Sequence, residues 1–442
     1  MPHQASIPQT RLLLNRPRTR VSLVGYAVPW FVRMTFYAFV FTIPLDSIGI
    51  SLGIPGAPFS VPQILGLLFA LMFCFYINRL AKFPPVAFFF LGFYYFLLIL
   101  HLGITPDEHY RYLLRRLLQM SQLIALFWMA FIVLMDPRIV RMSLKVFCGS
   151  CIFLCTAILF QIPGFTAIEK FEDVGRETFA NADPNLFSFL LGLAVLVIFT
   201  IMVNQYQTDK KINYLMFIPV LLLLYYIVAS GSRGGALSFV SGIMVYLWAS
   251  KESRGKHLKW GVSIFALILI IVLSLKVELA ETRWQQSLLE GRLGNRERLF
   301  PEAVKLTLMR PLLGWGPEKN LRLLGEFWGR MRGGPHNTFL FVSTEMGFVG
   351  LIPFAVGWVL IGISCWRTRD GTLGNLPFAI FVLILVANNT VDMIYMKPTW
   401  FFLALCAASV AYSKKKFRRA LASLSGEHSD RDQVTTGPYH VR

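Results

Sequence analysis

The stretch Leu186–Val203, LFSFLLGLAVLVIFTIMV, is 18 residues without a single charge. That is close to the length an α-helix needs to cross the hydrocarbon core of a bilayer. Working outward from it, the same reading gives about twelve candidate spans. They lie near 25–44, 59–78, 84–103, 117–135, 144–163, 186–203, 213–229, 234–249, 259–275, 338–364, 376–394 and 399–412. The composition of all 442 residues agrees. Hydrophobic residues make up 55% and charged residues only 15%, and mean hydropathy is +0.57. Soluble domains carry nearer a quarter charged residues, so a water-facing surface over the whole chain is excluded. The expected fold class is an all-α integral membrane protein of about 12 transmembrane helices. Six scattered cysteines make no disulfide framework, and Cys148-x-x-Cys151, inside a span, reads as apolar packing.

The net charge of +19, from 43 Lys and Arg against 24 Asp and Glu, would suggest nucleic acid in a soluble chain. In a membrane chain it first concerns sidedness. With the N-terminal tail (1–24) in the cytoplasm and its first span retained, 24 basic residues fall on the inner side. These include the C-terminal tail (413–442) and short loops such as Lys251–Lys259. Eighteen fall outside, eleven of them in one long segment, 276–337. Spans one to nine then occupy 25–275 and spans ten to twelve 338–412. The long segment contains Asn295–Met309, whose apolar positions recur at helical spacing, and Gly314-Trp-Gly316 reads as a turn. The pattern predicts an amphipathic helix at the outer membrane–water interface.

No phosphate loop, dinucleotide fingerprint, serine elbow or zinc motif is present, and no span carries a run of acids. The polar features gather at the outer ends of spans. Arg233 follows Ser230-Gly-Ser232 and precedes Gly234-Gly235 at a helix N-terminus, a setting that suits an anion, or lipid headgroups. His336 and Asn337 end the turn Gly333-Gly-Pro335, and an imidazole there can exchange protons near neutral pH or contact headgroups. Glu345, nine residues on, points to a different face and needs a partner. Asn181, Asp183 and Asn185 can cap the sixth span, with Arg176 nearby, and Arg116 closes a basic group before the fourth. Guanidinium groups converging on one site suit a diphosphate, and a histidine beside them suits a general base. Chemistry on a lipid-linked diphosphate at the periplasmic face follows.

Several of these pieces together resemble the O-antigen ligase and polymerase superfamily. They are Arg296-x-x-x-Phe300-x-x-Ala303, Pro311-Leu-Leu-Gly314-Trp-Gly316, Pro335-His336-Asn337-x-x-Leu340 and Glu345-x-Gly347-x-x-Gly350. Ser230-Gly-Ser-Arg233-Gly-Gly and Asn181-x-x-Pro184-Asn185 resemble the same family's upstream pattern, with one extra residue in the latter. The resemblance implies a GT-C-like, inverting membrane glycosyltransferase in the inner membrane of a Gram-negative bacterium. Its donor would be a glycan on undecaprenyl diphosphate and its acceptor a sugar hydroxyl of the lipid A core. Its partners would be these and membrane lipids, not nucleic acid, and it would use no metal and no cofactor. The family's histidine corresponds to His336 and its arginines to Arg233 and Arg296, with Arg298 the alternative to Arg296. Arg176, Arg116, Asn185, Asn337 and Glu345 are the expected substrate contacts. A repeat-unit polymerase or protein O-oligosaccharyltransferase of the same superfamily is the alternative, and a lipid-linked glycan transporter is the alternative of another class.

Overall fold

The computed structural model describes residues 28–48, 61–103, 107–163, 165, 169–171, 176–178, 183–209, 213–248, 296–327, 329, 331, 333–371 and 373–411. The chain runs through α1 (Trp30–Thr42), α2 (Val61–Phe75), the short α3 (Ile77–Leu80), α4 (Val86–Leu100), α5 (Asp107–Val133) and α6 (Pro137–Leu159). A two-stranded antiparallel hairpin, β1 (Glu169–Phe171) with β2 (Arg176–Thr178), precedes α7 (Pro184–Asp209), α8 (Phe217–Ala229) and α9 (Arg233–Trp248). Then come α10 (Arg296–Met309), α11 (Lys319–Phe327), α12 (Thr338–Arg367), α13 (Leu376–Ala387) and α14 (Lys397–Ala411). The protein is an all-α membrane protein, with one small hairpin among the described residues. Five of the described helices are long and apolar enough to cross a membrane. A helix lies in eleven of the twelve expected segments, and the segment 259–275 lies outside the described residues.

Two boundaries differ from expectation for a physical reason. Helix α5 begins at Asp107, so Tyr110–Arg116 forms its first turns rather than a loop before it. Charged residues at a helix end stay near water while the helix continues, and an apolar count misses them. Helix α13 stops at Ala387, and Asn388–Met396 is a loop, although 376–394 is apolar enough to read as one span. Hydropathy sees no break there because most of this loop is itself buried.

The two ends of the bundle keep separate sets of contacts. At one end Asp46 pairs with Lys397 at 2.5 Å, and Gln119 Nε2 donates to the Tyr395 carbonyl at 3.1 Å. At the other, Trp128 Nε1 donates to the Lys82 carbonyl at 3.1 Å, and Trp248 stacks on Trp366 with centroids 5.8 Å apart. This is the antiparallel alternation of successive spans. Helix α7, built around the opening stretch, lies at the centre and is the most enclosed of the five spans. A helix apolar on every face must be covered on every face to leave lipid. Helices α6, α8, α9 and α13 all pack on α7.

Helix α12 is broken at Gly347, whose backbone takes φ 61°, ψ −162°, conformations open essentially to glycine. The turn Pro311–Gly316 docks into the break. Trp315 N donates to Thr344 O at 2.9 Å and Gly316 N to Glu345 O at 2.9 Å. In return Phe348 N donates to Pro311 O at 2.7 Å and Val349 N to Leu312 O at 3.2 Å. The groups freed by the break are thus satisfied by a second strand of backbone, which is what an apolar setting requires. This docking fixes α10, just before the turn, against α12.

Candidate active site

At one end of the bundle, the same end as the Asp46–Lys397 pair, α7, α9, α10 and α12 all begin close together. Asp183 caps α7 by accepting from Asn185 N at 2.8 Å and Leu186 N at 3.2 Å. Ser232 caps α9, accepting from Gly235 N at 3.0 Å, and its hydroxyl donates to Asn185 Oδ1 at 2.8 Å. Asn185 is therefore the clasp between the two helix starts. A Cβ on Gly235 would lie 2.1 Å from Ser188 Cβ, and one on Gly234 2.6 Å from Thr390 Cβ. The glycine pair lets α9 press against both α7 and the Asn388–Met396 loop, and half-buried Arg233 emerges at that junction.

Arg296, the first residue of α10, donates from Nη2 to the Thr390 carbonyl at 2.7 Å. Burial, then the neighbouring Arg233 cation, push its pKa below the usual arginine value, opposed by Asp183 and Asp392. Arg296 thus lies in the field of the Arg233 guanidinium, and Glu297 is an anion whose field acts on Arg233. Arg298 is exposed, on the other side of the same turn. Helix starts carry partial positive charge, so four of them add to the arginines in favouring an anion here.

His336 adopts φ 51°, uncommon for a residue with a Cβ. The turn is held by Asp392, whose carboxylate accepts from His336 N at 3.3 Å and Asn337 N at 2.8 Å. Gly334 makes room for it, since a Cβ there would fall 2.1 Å from Asp392 Oδ2. Burial raises the Asp392 pKa to about 7, against the lowering effect of the His336 and Asn337 N–H bonds and of Arg296. Asn337 is the N-cap of α12: Oδ1 accepts from Phe339 N at 2.9 Å and Leu340 N at 3.0 Å, and Nδ2 donates to Asn389 Oδ1 at 3.0 Å. Its side chain holds the turn through these three bonds.

The remaining expected residues divide. Glu345 is buried on α12 and accepts from the Tyr94 hydroxyl, so its partner is an aromatic hydroxyl rather than a cation. Arg116 bonds Tyr112 Oη at 2.8 Å and Gln119 Oε1 at 3.2 Å and lies over the Tyr395 ring. These two stand beside the site, joined to it through Tyr395. Arg176 pairs by its backbone with Phe171 in the hairpin. Its side chain and Asn181 lie outside the described residues. Thr390 and Asp392 were missed because an apolar span was expected across 376–394, and Tyr395 lies just past its end. The polar run Asn388-Asn-Thr-Val-Asp392 was the available signal.

Residues 218–355 match the family model described as O-antigen ligase. The matched stretch contains Arg233, Arg296, His336 and the broken part of α12, and it stops before Asp392. No curated protein matches the chain.

Proposed function

With residues 218–355 assigned to the O-antigen ligase family, we propose that this chain transfers a glycan from undecaprenyl diphosphate to a sugar hydroxyl of the lipid A core. The reaction takes place at the periplasmic face of the inner membrane of a Gram-negative cell. The termini 1–24 and 413–442 then lie in the cytoplasm, and 276–337 is the periplasmic segment. One observation carries the reading: Arg233 and Arg296 converge beside the His336 turn where four helices begin.

In the proposed step His336 removes the acceptor proton. The acceptor oxygen attacks the anomeric carbon from the face opposite the diphosphate, and the bond from that carbon to the phosphate oxygen breaks. Configuration inverts. Arg233 and Arg296 neutralise the departing diphosphate, for which planar guanidinium forks are well matched. That group leaves readily, so the proposed reaction uses no metal. Asn185 and Asn337 act by holding the two helix starts, and Arg116, Arg176 and Glu345 are assigned to the surroundings of the glycan.

The test is transfer by purified protein in detergent, supplied with lipid-linked donor and lipid A-core acceptor. His336→Ala should fold and lose transfer. Arg233→Ala should lose use of the donor, with Arg233→Lys a partial rescue. Full activity of His336→Ala removes the base, and a wild-type donor KM in Arg233→Ala removes the phosphate role. Product formed without a sealed membrane separates an enzyme from a transporter. Product formed only on a second lipid-linked repeat, and not on the core, assigns the site to a polymerase.

A further inference from the structure

The Asn388–Met396 loop touches every part of the proposed site. Thr390 meets Arg296 and Gly234, and Asp392 carries the His336 turn. Its first half is tied to α12 itself: Thr338 N donates to Asn388 O at 2.8 Å, and Met393 N donates to Thr338 Oγ1 at 2.9 Å. Those bonds join the loop to the helix that follows His336, while Thr390 ties it to α9 and α10. Tyr395, three residues after Asp392, ties the Asp392 side of the loop to α4 and α5. Its hydroxyl lies 2.8 Å from that of Tyr94 on α4. Its ring lies under the Arg116 guanidinium of α5, 4.2 Å from Cζ to centroid, and Gln119 of the same helix donates to its carbonyl at 3.1 Å. The edge of the Phe341 ring completes the cage, with centroids 6.1 Å apart. Tyr94 in turn bonds buried Glu345 back on α12.

We infer that Tyr395 is a positioning residue, anchored by Tyr94, Arg116 and Gln119, that fixes the Asp392 carboxylate beneath the His336 turn. A left-handed histidine is held in place only while its surroundings over-determine it. A displacement of about 1 Å at a reacting group can cost up to about a hundredfold in rate. Loss of the anchor therefore acts on turnover and not on donor affinity.

This rests on His336 being the base. The experiment measures kcat and donor KM, in detergent, for Tyr395→Phe, Asp392→Asn and the double variant. Tyr395→Phe removes the bond to Tyr94 and keeps the ring on Arg116. Its kcat should fall roughly tenfold, with donor KM within about twofold of wild type. In the Asp392→Asn background it should cost nothing more, because the residue through which it acts is already altered. Additive losses, a raised KM with normal kcat, or wild-type kinetics would each overturn the inference. If Tyr395→Phe fails to fold, Gln119→Ala, which frees the Tyr395 carbonyl and one bond of the Arg116 guanidinium above its ring, must show the same pattern, or the inference falls. The two failures are distinguishable. An active His336→Ala removes the function, whereas an inactive His336→Ala beside a fully active Tyr395→Phe removes only the positioning role.

Discussion

Replacing Gly347 by alanine tests how the long segment is coupled to the membrane helices. At φ 61°, ψ −162° a residue with a Cβ is strained by about 1–3 kcal/mol. The new Cβ would also fall 2.3 Å from the Leu312 carbonyl oxygen and 2.5 Å from its carbon. Both atoms are backbone and cannot swing aside. The Pro311–Gly316 turn must retreat, and the bonds from Phe348 N and Val349 N to Pro311 O and Leu312 O are lost or stretched. At about 0.5–1.5 kcal/mol each, these bring the expected cost to about 2–6 kcal/mol. The retreat also drags α10, and with it Arg296. Thermal unfolding of detergent-solubilised protein, run beside transfer activity, reads both effects. Gly92→Ala is the control: it is a helical position where a Cβ would meet nothing within 4 Å, and alanine there should be neutral or slightly stabilising. A Gly347→Ala protein that unfolds with wild type and transfers normally would refute the coupling.

Arg296→Ala should lower transfer at least tenfold whereas exposed Arg298→Ala stays within about twofold; equal losses in a side-by-side assay would mean that α10 presents its other face to the donor. Gly235→Ala places a Cβ 2.1 Å from that of Ser188 and should destabilise by about 1–3 kcal/mol, together with loss of activity as Arg233 shifts; an unchanged melting curve would contradict the close packing of α7 on α9. Because the folded state holds the Asp392 proton up to about pH 7 while the unfolded state has released it near pH 4, this group's contribution to stability falls as pH rises through that window. Asp392→Asn should flatten that decline between about pH 4 and pH 7, and parallel melting-temperature profiles for the two proteins would count against it.

Most of the helices were legible because a bilayer reads composition, and composition is what a sequence displays most openly. Helix α10 was equally open: Leu299, Ala303 and Leu306, spaced one turn apart, are the apolar residues it buries. Asn185 and Ser232 were picked out on separate motifs, and only the fold shows that one hydrogen bond joins them. Asp392 stayed hidden because one acid among Val391, Met393 and Ile394 looks like a blemish in a span rather than the floor of a site. Its meaning lies in N–H groups 55 residues earlier in the chain. Helix α11 was missed as well; at nine residues it is shorter than periodicity alone can establish, and it is held by packing on α10 and α12. Asn337 was read from its place beside His336, and the fold adds that its side chain caps α12, a role that spacing alone did not display.

The carboxylate that secures the His336 turn comes from near the end of the chain, beyond the stretch that matches the family. During synthesis the arginine-bearing helices and the His336 segment emerge first, and for a time the turn lacks its acid. Only when α13 and α14 have inserted does Asp392 reach it. A protein truncated before residue 388 would keep Arg233, Arg296 and His336 and still lack the carboxylate that holds the His336 turn. On the proposed mechanism, reactivity would then be withheld until the whole bundle is in the membrane, and a chain truncated before residue 388 should show no transfer to lipid A-core acceptor in the detergent assay.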